Sequence, residues 1–234
     1  MIVLELFAGT GSIGRAFEKL GWGVVSLDIC AKFKPTLVVD ILQWDYTCFP
    51  SDYFSFVWAS PVCTEFSRAK TVGVRDLEGA DKLVARVLEI FAYFSTANWA
   101  FENPQSGLLK TRDHLVKGLP YYDTSYCRYG FCYRKHTRIW TNLVLCLRKP
   151  CSLQDPCTAM VGRRHLKTAQ QSRRGSDPND RNNTCSQAQL YSIPPGLCDD
   201  IAEAANRAVQ ETDGSEPNAR ADVPAPETFV SAEL

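Results

Sequence analysis

A cysteine and a glutamate are the two side chains in this sequence whose types and spacing point most clearly to chemistry. Cys63 lies in the segment ASPVCTEFS at residues 59–67, and Glu102 follows 39 residues later in the segment FENP at residues 101–104. Both follow apolar runs of strand type, so both side chains are expected at neighbouring strand ends. Such a thiol and carboxylate, behind a glycine-rich turn at residues 7–11, could alkylate a pyrimidine ring through transient covalent addition.

Each member of this pair also has an ordinary structural explanation. A reduced cysteine is most often a small buried residue, and a glutamate at a strand end can simply face solvent. The cysteine, the glutamate and the flanking Pro61, Phe66 and Ser67 nevertheless occur together, and this joint occurrence favours a catalytic role over simple packing. We therefore take Cys63 as the expected nucleophile and Glu102 as the expected acid.

The glycine-rich turn favours a ligand of nucleoside type. It stands where the first predicted strand leads into the first predicted helix, so its glycines allow close backbone approach and its amides face a ligand. Asp28 could accept hydrogen bonds from ribose hydroxyls, and Asp40 could receive an adenine amino group. Two acids at strand ends suit a nucleoside such as S-adenosylmethionine, although either acid alone could instead cap a helix or a turn.

Length and composition favour one catalytic domain that works inside a cell. The chain has 234 residues, of which 45% are apolar, enough for one core and a small appended lobe. No apolar run approaches the roughly 18 residues that span a bilayer, and the amino terminus begins on a strand-like segment instead of a signal peptide. The ten cysteines are scattered and are expected as reduced thiols. We assume a monomer, since the sequence does not indicate the oligomeric state, and we expect a protein without membrane contact that is not secreted and lies in the cytoplasm of a prokaryotic host or the nucleus of a eukaryotic one.

Charge is distributed unevenly along the chain, although the net charge is zero. Residues 128–174 contain 11 lysines and arginines against one acid, whereas residues 199–234 contain nine acids against two arginines. A local basic surface fits contacts to nucleic-acid phosphates, and an ordinary solvated face is the alternative. The expected phosphate contacts are Arg163, Arg164, Arg173 and Arg174.

Alternating short apolar runs and helical patterns predict a doubly wound α/β fold with a mostly parallel sheet and helices on both faces. A helix is expected from Ser12 to Gly21, and a second, strongly apolar helix over residues 83–94. The predicted strands lie near residues 2–6, 23–27, 36–39, 55–59, 98–101 and 139–145.

Four segments are predicted along the chain. Residues 1–147 form a catalytic domain, and residues 148–187 form a short, basic, irregular recognition lobe. Residues 188–210 contain a helix that returns to the catalytic domain, and residues 211–234 form a disordered acidic tail. Next to the cysteine, residues 68–80 lack apolar periodicity, so we expect a mobile loop that could close over a substrate.

Four ordered segments resemble the motifs of the cytosine-C5 DNA methyltransferase family. They lie at residues 4–11, 60–67, 101–104 and 134–142, and with their similar spacing they cover roughly residues 2–205 in a compact form similar to those of phages and large DNA viruses. The resemblance implies the Rossmann-like fold of S-adenosylmethionine-dependent methyltransferases, with that molecule as cofactor. It implies cofactor contacts from Phe7, Ala8, Gly9, Thr10, Gly11, Asp28, Ile29, Asp40, Ile41 and Pro61.

The resemblance also implies a reaction. Cys63 would add to C6 of a cytosine flipped out of double-stranded DNA, while Glu102 contacts N3 and the exocyclic amine. Arg138 matches the last arginine of the family's Q-x-R-x-R element, where it would bind the cytosine O2 and hold the carboxylate in place. Two other functions stay open, namely an RNA cytosine-C5 methyltransferase with the same pocket and a non-catalytic DNA-binding or regulatory homologue.

The sequence departs from the family pattern at several positions. Val62 and Thr64 replace a proline and a glutamine beside the nucleophile, and neither change removes a reacting group. Arg134 and His136 stand where the glutamine and first arginine of Q-x-R-x-R belong, and residues 190–191 replace the Gly-Asn of the last motif. Only about 45 residues occupy the place of the family's long target-recognition region, so we expect short or relaxed recognition.

A structural zinc ion is a further candidate cofactor. Cys151, Cys157 and His165 lie in the apolar-poor lobe, which is too small to bury a core and could be held in shape by tetrahedral Zn²⁺. Their spacing is looser than that of a zinc finger, so the sequence favours unliganded thiols packed under the lobe, with zinc as the alternative.

Overall fold

The computed structural model describes residues 1–95, 97–167, 185 and 187–213. The helices are α1 (Ser12–Lys19), α2 (Leu77–Tyr93), α3 (Asp113–Val116), α4 (Gln187–Tyr191) and α5 (Pro195–Asp213). The strands are β1 (Ile2–Leu6), β2 (Gly23–Asp28), β3 (Leu37–Val38), β4 (Phe56–Ala59), β5 (Asn98–Pro104), β6 (Tyr121–Ser125), β7 (His136–Thr141), β8 (Met160–Val161) and β9 (Arg164–His165).

Seven of the strands form one sheet in the order β3-β2-β1-β4-β5-β7-β6. The five strands from β3 to β5 in this order are parallel, whereas β7 runs antiparallel to both of its neighbours. Parallel neighbours need crossover connections, and these place helices on the two faces of the sheet. The predicted doubly wound, mostly parallel α/β fold is confirmed.

The inner strands send alternate side chains to two separate hydrophobic clusters. Val3 and Trp58 pack in the cluster that contains residues of α1 and α5, whereas Leu4 and Val57 pack in the cluster that contains residues of α2. This alternation follows from the two-residue period of a strand. With both faces covered, the carboxyl ends of the parallel strands are where a crevice for a ligand is expected.

Helix α1 is fixed to the sheet at its first turn. The buried Glu5 carboxylate accepts hydrogen bonds from the amides of Ile13 and Gly14, each at 3.1 Å, and its burial raises the pKa of this carboxyl to about 7. A Cβ atom at Gly14 would lie 2.8 Å from the same carboxylate. Further along the helix, Phe17 stacks on Phe56 with 5.1 Å between ring centroids. The predicted helix from Ser12 is confirmed, and its start lies directly over the glycine-rich turn.

Helix α2 starts at Leu77, six residues earlier than predicted. Its N-cap is Asp76, whose carboxylate accepts a hydrogen bond from the Gly79 amide at 2.8 Å, and such a cap satisfies an otherwise unpaired helical amide. Residues 77–80, predicted as part of the loop, are therefore the first turn of the helix. The loop beside the cysteine ends at Asp76.

The last strands also differ from the prediction. Strand β7 covers His136–Thr141 instead of residues 139–145, and Leu143 and Leu145 are buried in the core without belonging to a strand. Strand β6, with the sequence YYDTS, was not predicted because it lacks the apolar alternation of a half-buried strand.

In the predicted lobe, residues 148–167, 185 and 187 are described, and the short strands β8 and β9 pair with each other there. The helix predicted at 194–210 is confirmed as α5, which is preceded by the short α4 and extends to Asp213. Residues 214–234, like Arg173 and Arg174, lie outside the described residues. The domain boundaries stay a prediction. Among the described helices, none combines the length and apolar character needed to span a bilayer.

Candidate active site

The carboxyl ends of β1, β2, β4 and β5 meet around one cavity of about 590 Å³, a volume within the usual range of small-molecule sites. The structure brings the predicted nucleophile, acid and most predicted cofactor contacts together in its wall. Ala8, Thr10 and Gly11 instead line a neighbouring depression of about 190 Å³. The predicted residues that line the large cavity are Phe7, Gly9, Asp28, Ile29, Asp40, Ile41, Pro61, Cys63 and Glu102.

The two predicted cofactor acids brace turns at the cavity wall. The carboxylate of Asp28 accepts hydrogen bonds from the amides of Gly9 and Cys30, both at 2.8 Å, and that of Asp40 accepts one from the Leu42 amide at 3.0 Å. The backbone of Gly9 has a φ of +49°, a left-handed conformation that favours glycine. Carboxylate oxygens have several lone pairs, so bracing a turn is compatible with contacting a ligand, and the ligand contacts stay predictions.

The loop that carries Cys63 is tied to the strand that carries Glu102. Asn103, the next residue of β5, is fully buried, and its side-chain amide donates a hydrogen bond to the Pro61 carbonyl at 3.1 Å. On the other side of the cysteine, Phe66 is fully buried in the core. The cysteine is therefore held between two fixed points.

The Glu102 carboxylate is held by one of its oxygens. The residue is 5% exposed, and its Oε1 accepts hydrogen bonds from the hydroxyls of Tyr126, at 3.2 Å, and Thr137. The Lys135 ammonium lies 3.2 Å from the same oxygen. Within the described residues Oε2 accepts no hydrogen bond, so the carboxylate can be fixed through Oε1 and still offer Oε2 to a ligand.

Lys135 is a functional candidate that the sequence analysis missed. Its ammonium contacts Glu102, lies 3.2 Å from the Tyr126 hydroxyl and stands 4.5 Å from the centroid of the Tyr126 ring. Burial lowers the pKa of Lys135, but the charges of Glu102 and Cys63 outweigh this effect, so the pKa lies above its ordinary value. A charged lysine therefore lines the cavity between the predicted nucleophile and the predicted acid. Its signal in the sequence was a lysine just before a strand, which is too common to select.

Arg138 lies on the opposite face of the sheet from Glu102. In the pairing of β5 with β7, Glu102 stands opposite Ile139, and successive side chains of a strand point to opposite faces. The Arg138 guanidinium instead binds the Asp123 carboxylate through two hydrogen bonds of 2.7 and 2.8 Å. The prediction that Arg138 holds the Glu102 carboxylate is therefore wrong, and Lys135 takes that position.

The environment of Cys63 favours the thiol over the thiolate. Burial raises its pKa, the positive charge of Lys135 lowers it, and the negative charge of Glu102 raises it, so that the pKa lies above its ordinary value. The positive charge that acts on this thiol is that of Lys135. A reaction through the thiolate would depend on this charge and on pH.

The segment before α5 closes the cavity against the glycine-rich turn. Residues 190–191, which replace the family's Gly-Asn, and Ile193 line the cavity. The Ile193 amide donates a hydrogen bond to the Ser12 hydroxyl at 3.2 Å, and this hydroxyl lies 2.9 Å from the Thr10 hydroxyl. The segment before α5 is thereby joined to the glycine-rich turn at the predicted cofactor site.

The loop beside the cysteine folds around Glu65. The Glu65 carboxylate accepts hydrogen bonds from the Lys70 ammonium, at 2.5 Å, and from the Asp76 amide, at 2.8 Å, and the hydrogen bond from Lys70 lowers its pKa. Val72 and Val74 are 83% and 93% exposed. The loop thus presents apolar side chains to solvent near the cavity, and its mobility stays a prediction.

The three predicted zinc ligands lie together. Cys151, Cys157 and His165 form a cluster with Cys127, and their ligand atoms all lie within 4.8 Å of one another. The sequence analysis did not select Cys127. In the same lobe, Arg163 and Arg164 are exposed, as phosphate contacts would have to be.

Comparison with curated proteins finds a relative in sequence. No protein-family profile matches the chain. A curated protein of Frog virus 3 (isolate Goorha), described as a probable DNA (cytosine-5)-methyltransferase, is 32% identical over 219 residues, which are 84% of this chain and 96% of that protein.

Solved structures are more distant. A DNA modification methyltransferase encoded within an E. coli prophage matches with a TM-score of 0.46 and 14% identity, over 66% of this chain and 53% of that one. A variant of Spodoptera frugiperda DNMT2 matches with a TM-score of 0.43 and 16% identity, over 64% of this chain and 53% of that one. The chain spans about half the length of these solved proteins.

Proposed function

This chain belongs to the DNA (cytosine-5)-methyltransferase family, and from that premise we propose that it transfers a methyl group from S-adenosylmethionine to C5 of a cytosine in double-stranded DNA. The observation that carries the proposal is the single cavity in which Cys63 and Glu102 meet Asp28 and Asp40. One wall offers the groups for covalent addition to a pyrimidine, and the other offers the groups for a nucleoside.

The cavity residues fit S-adenosylmethionine. Asp28 and Asp40 are fixed by backbone amides and would hold the ribose hydroxyls and the adenine amino group. Bound S-adenosylmethionine supplies an electrophilic methyl group. Apolar contacts and close backbone approach would come from Phe7, Gly9, Ile29, Ile41 and Pro61, all in the cavity wall.

Cys63 provides the covalent step. After the thiol proton has passed to solvent, the thiolate sulfur forms a bond to C6 of the cytosine, the C5–C6 double bond opens, and electron density is left on C5, which can then receive the methyl group. Glu102, held through Oε1, places Oε2 at N3 and the exocyclic amine and holds a proton there as charge develops. Loss of the C5 proton then reforms the double bond and breaks the bond between carbon and sulfur.

Lys135 has two roles in this scheme. It holds the Glu102 carboxylate through the 3.2 Å contact, and its charge is the one that lowers the pKa of Cys63. Both effects favour the state in which the sulfur carries negative charge and the carboxylate stays in position.

The target base must leave the duplex to reach Cys63. C5 and C6 of a stacked, paired cytosine are not accessible to a cavity at strand ends, so the base is flipped into the site. The loop from residue 67 to Asp76 would close over it, with Val72 and Val74 toward the DNA. Arg163 and Arg164 would contact phosphates. We further propose that the protein acts as a monomer inside the cell that contains the DNA.

The proposal is tested by trapping the covalent adduct on a DNA duplex that contains 5-fluorocytosine. Fluorine replaces the C5 proton that must leave, so the bond between enzyme and base persists. The native protein should form a stable adduct in the presence of S-adenosylmethionine, and Cys63→Ala should form none and lose methyl transfer by about 10⁴-fold or more. Cys48→Ala, at an exposed cysteine, is the matched control and should keep both.

The same assay separates the two alternatives. Methyl transfer to transfer RNA without transfer to duplex DNA would replace the proposal by an RNA cytosine-C5 methyltransferase. Cofactor binding without any adduct on either polymer would identify a non-catalytic homologue. Base-resolution sequencing of DNA from cells that express the native chain or Cys63→Ala would then give the target base and its sequence context.

A further inference from the structure

Four side chains with zinc-binding atoms converge where the lobe meets the catalytic sheet. Cys127 comes from the turn after β6, Cys151 and Cys157 come from the irregular chain of the lobe, and His165 comes from β9. The His165 Nε2 atom lies 3.6 Å from the sulfur of Cys151 and 3.3 Å from that of Cys157.

These separations suit a tetrahedral metal. Bond lengths of about 2.3 Å from zinc to sulfur and about 2.0 Å to nitrogen place the sulfur and nitrogen atoms of a tetrahedron about 3.5 Å apart, and two sulfur atoms about 3.8 Å apart. All four ligand atoms lie within 4.8 Å of one another. Small side-chain rotations would therefore complete the tetrahedron.

The buried centre of the lobe consists of thiols instead of hydrocarbon. Its hydrophobic cluster contains Cys127, Cys151, Cys157 and Ala159, with Met160 packed against it. The strands of residues 148–167 are one pair of two residues each, and one isolated bridge joins Lys167 to Tyr133. So little apolar surface and so few ladder hydrogen bonds do not hold a segment of this size in one shape, and small natural modules of this kind use a metal or disulfides.

We propose that Cys127, Cys151, Cys157 and His165 bind one Zn²⁺ as a closed structural site that fastens the lobe to the catalytic sheet. Three sulfur ligands and one imidazole are a set typical of tetrahedral zinc. All four positions are filled by protein, so the metal has no open position for a catalytic water. The burial of the three cysteines agrees with a site closed to solvent.

The metal would also restrain the turn that carries Tyr126, a residue of the active site. Cys127 follows Tyr126, whose hydroxyl contacts Glu102, and the Cys151 amide donates a hydrogen bond to the Ser125 hydroxyl at 3.0 Å. A zinc ion that links these cysteines would fix the turn after β6 on which Tyr126 stands. The zinc ion would thus hold the lobe in place and, through Tyr126, help to position the Glu102 carboxylate.

The first test is metal analysis of the purified full-length protein. We expect about one zinc per chain, and Cys127→Ala and Cys157→Ala should each lower this content by tenfold or more. Cys146→Ala, at an exposed cysteine just before the lobe, is the matched control and should keep the zinc. Absence of stoichiometric metal in the native protein, or full zinc content in Cys127→Ala, would overturn the proposal.

A second test uses the native protein, because a cysteine variant could lose metal by failing to fold. Replacement of zinc by Co²⁺ should give the intense visible absorption of a tetrahedral, sulfur-ligated site. Alkylation followed by mass spectrometry should find Cys127, Cys151 and Cys157 protected until a chelator is added. A disulfide between any two of them, or equal labelling with and without chelator, would overturn the proposal. Neither readout depends on methyl transfer.

Discussion

The catalytic sheet and the lobe position their functional side chains by different means. Around Glu102, support comes from packed aromatic rings: Phe101, its neighbour in β5, is fully buried and stacks on Trp140 with 4.8 Å between centroids. In the lobe, Cys151 and Cys157 are buried almost without hydrocarbon around them. Apolar packing holds the first region, whereas we propose that the second is held by a bound zinc ion.

The largest expected effect is the loss of stability when a cavity is made in the core of the catalytic sheet. Phe101→Ala should lower the free energy of unfolding by about 3–5 kcal/mol, because it removes a large ring from a densely packed core. Urea denaturation of the metal-loaded protein measures this loss. Val144→Ala is the control, since Val144 is 87% exposed and its truncation should change stability by less than about 0.5 kcal/mol.

Chelator treatment of the native protein completes this experiment. If the sheet is held by packing alone, removal of the metal should leave the main unfolding transition near its original midpoint and should open the lobe to proteolysis within residues 148–167. A chelator that lowers the main transition as much as Phe101→Ala does would contradict the comparison between the two regions.

The same contrast explains what the sequence could predict. Strands β1, β2, β4 and β5 and helix α1 were predicted close to their observed positions, because apolar periodicity is a local property of the chain. Cys63 and Glu102 followed from their motifs, and the structure places both in one cavity, although Glu102 lies within β5 and not at its end. These features depend on neighbours in the sequence.

The features that the sequence did not predict depend on contacts between distant segments. Arg138 was chosen by motif, but the register of β7 against β5 decides which face each side chain reaches, and a shift of one residue exchanges the faces. Lys135 and Cys127 gain their partners only when the turn after β6 packs beside Glu102 and beneath the lobe. Neither has a local pattern that marks it.

The second prediction tests the face assignment within the sheet. The Lys135 ammonium contacts Glu102, and its charge lowers the pKa of Cys63. Lys135→Met removes this charge and so raises the pKa of Cys63, and we expect adduct formation at neutral pH to fall by about 10- to 100-fold. Arg138→Met removes a guanidinium that lies 3.5 Å from the centroid of the Tyr121 ring, outside the cavity. It should change the rate by less than about threefold, with a modest loss of stability.

The pH dependence of adduct formation also distinguishes Lys135 from Arg138. The pKa of Cys63 is raised by burial, so the thiolate fraction, and with it the rate of adduct formation, should rise about tenfold per pH unit below that pKa. Loss of the Lys135 charge raises the pKa further, so this rise should move to higher pH in Lys135→Met and stay in place in Arg138→Met. A shift in Arg138→Met alone would return the catalytic role to Arg138.

The smallest expected effect concerns the junction between the cysteine loop and α2. Asp76→Ala removes the cap on the Gly79 amide and should lower the free energy of unfolding by about 1 kcal/mol. Hydrogen exchange at Gly79 and Ala80 should accelerate by about fivefold. Asp52→Ala, at an exposed acid in a turn that starts no helix, should change neither quantity.

Asp76→Ala also tests whether the helix cap determines where the loop beside the cysteine ends. The Asp76 amide keeps its hydrogen bond to the Glu65 carboxylate after the substitution, because that bond uses only the backbone. The loop should therefore stay attached to Glu65 while the first turn of α2 frays. The freed chain would then cover residues 77–80, the part of the predicted 68–80 loop that one capping carboxylate converts into helix. Unchanged exchange at Gly79 would instead mean that packing of α2 on the sheet, and not its cap, determines where the loop ends.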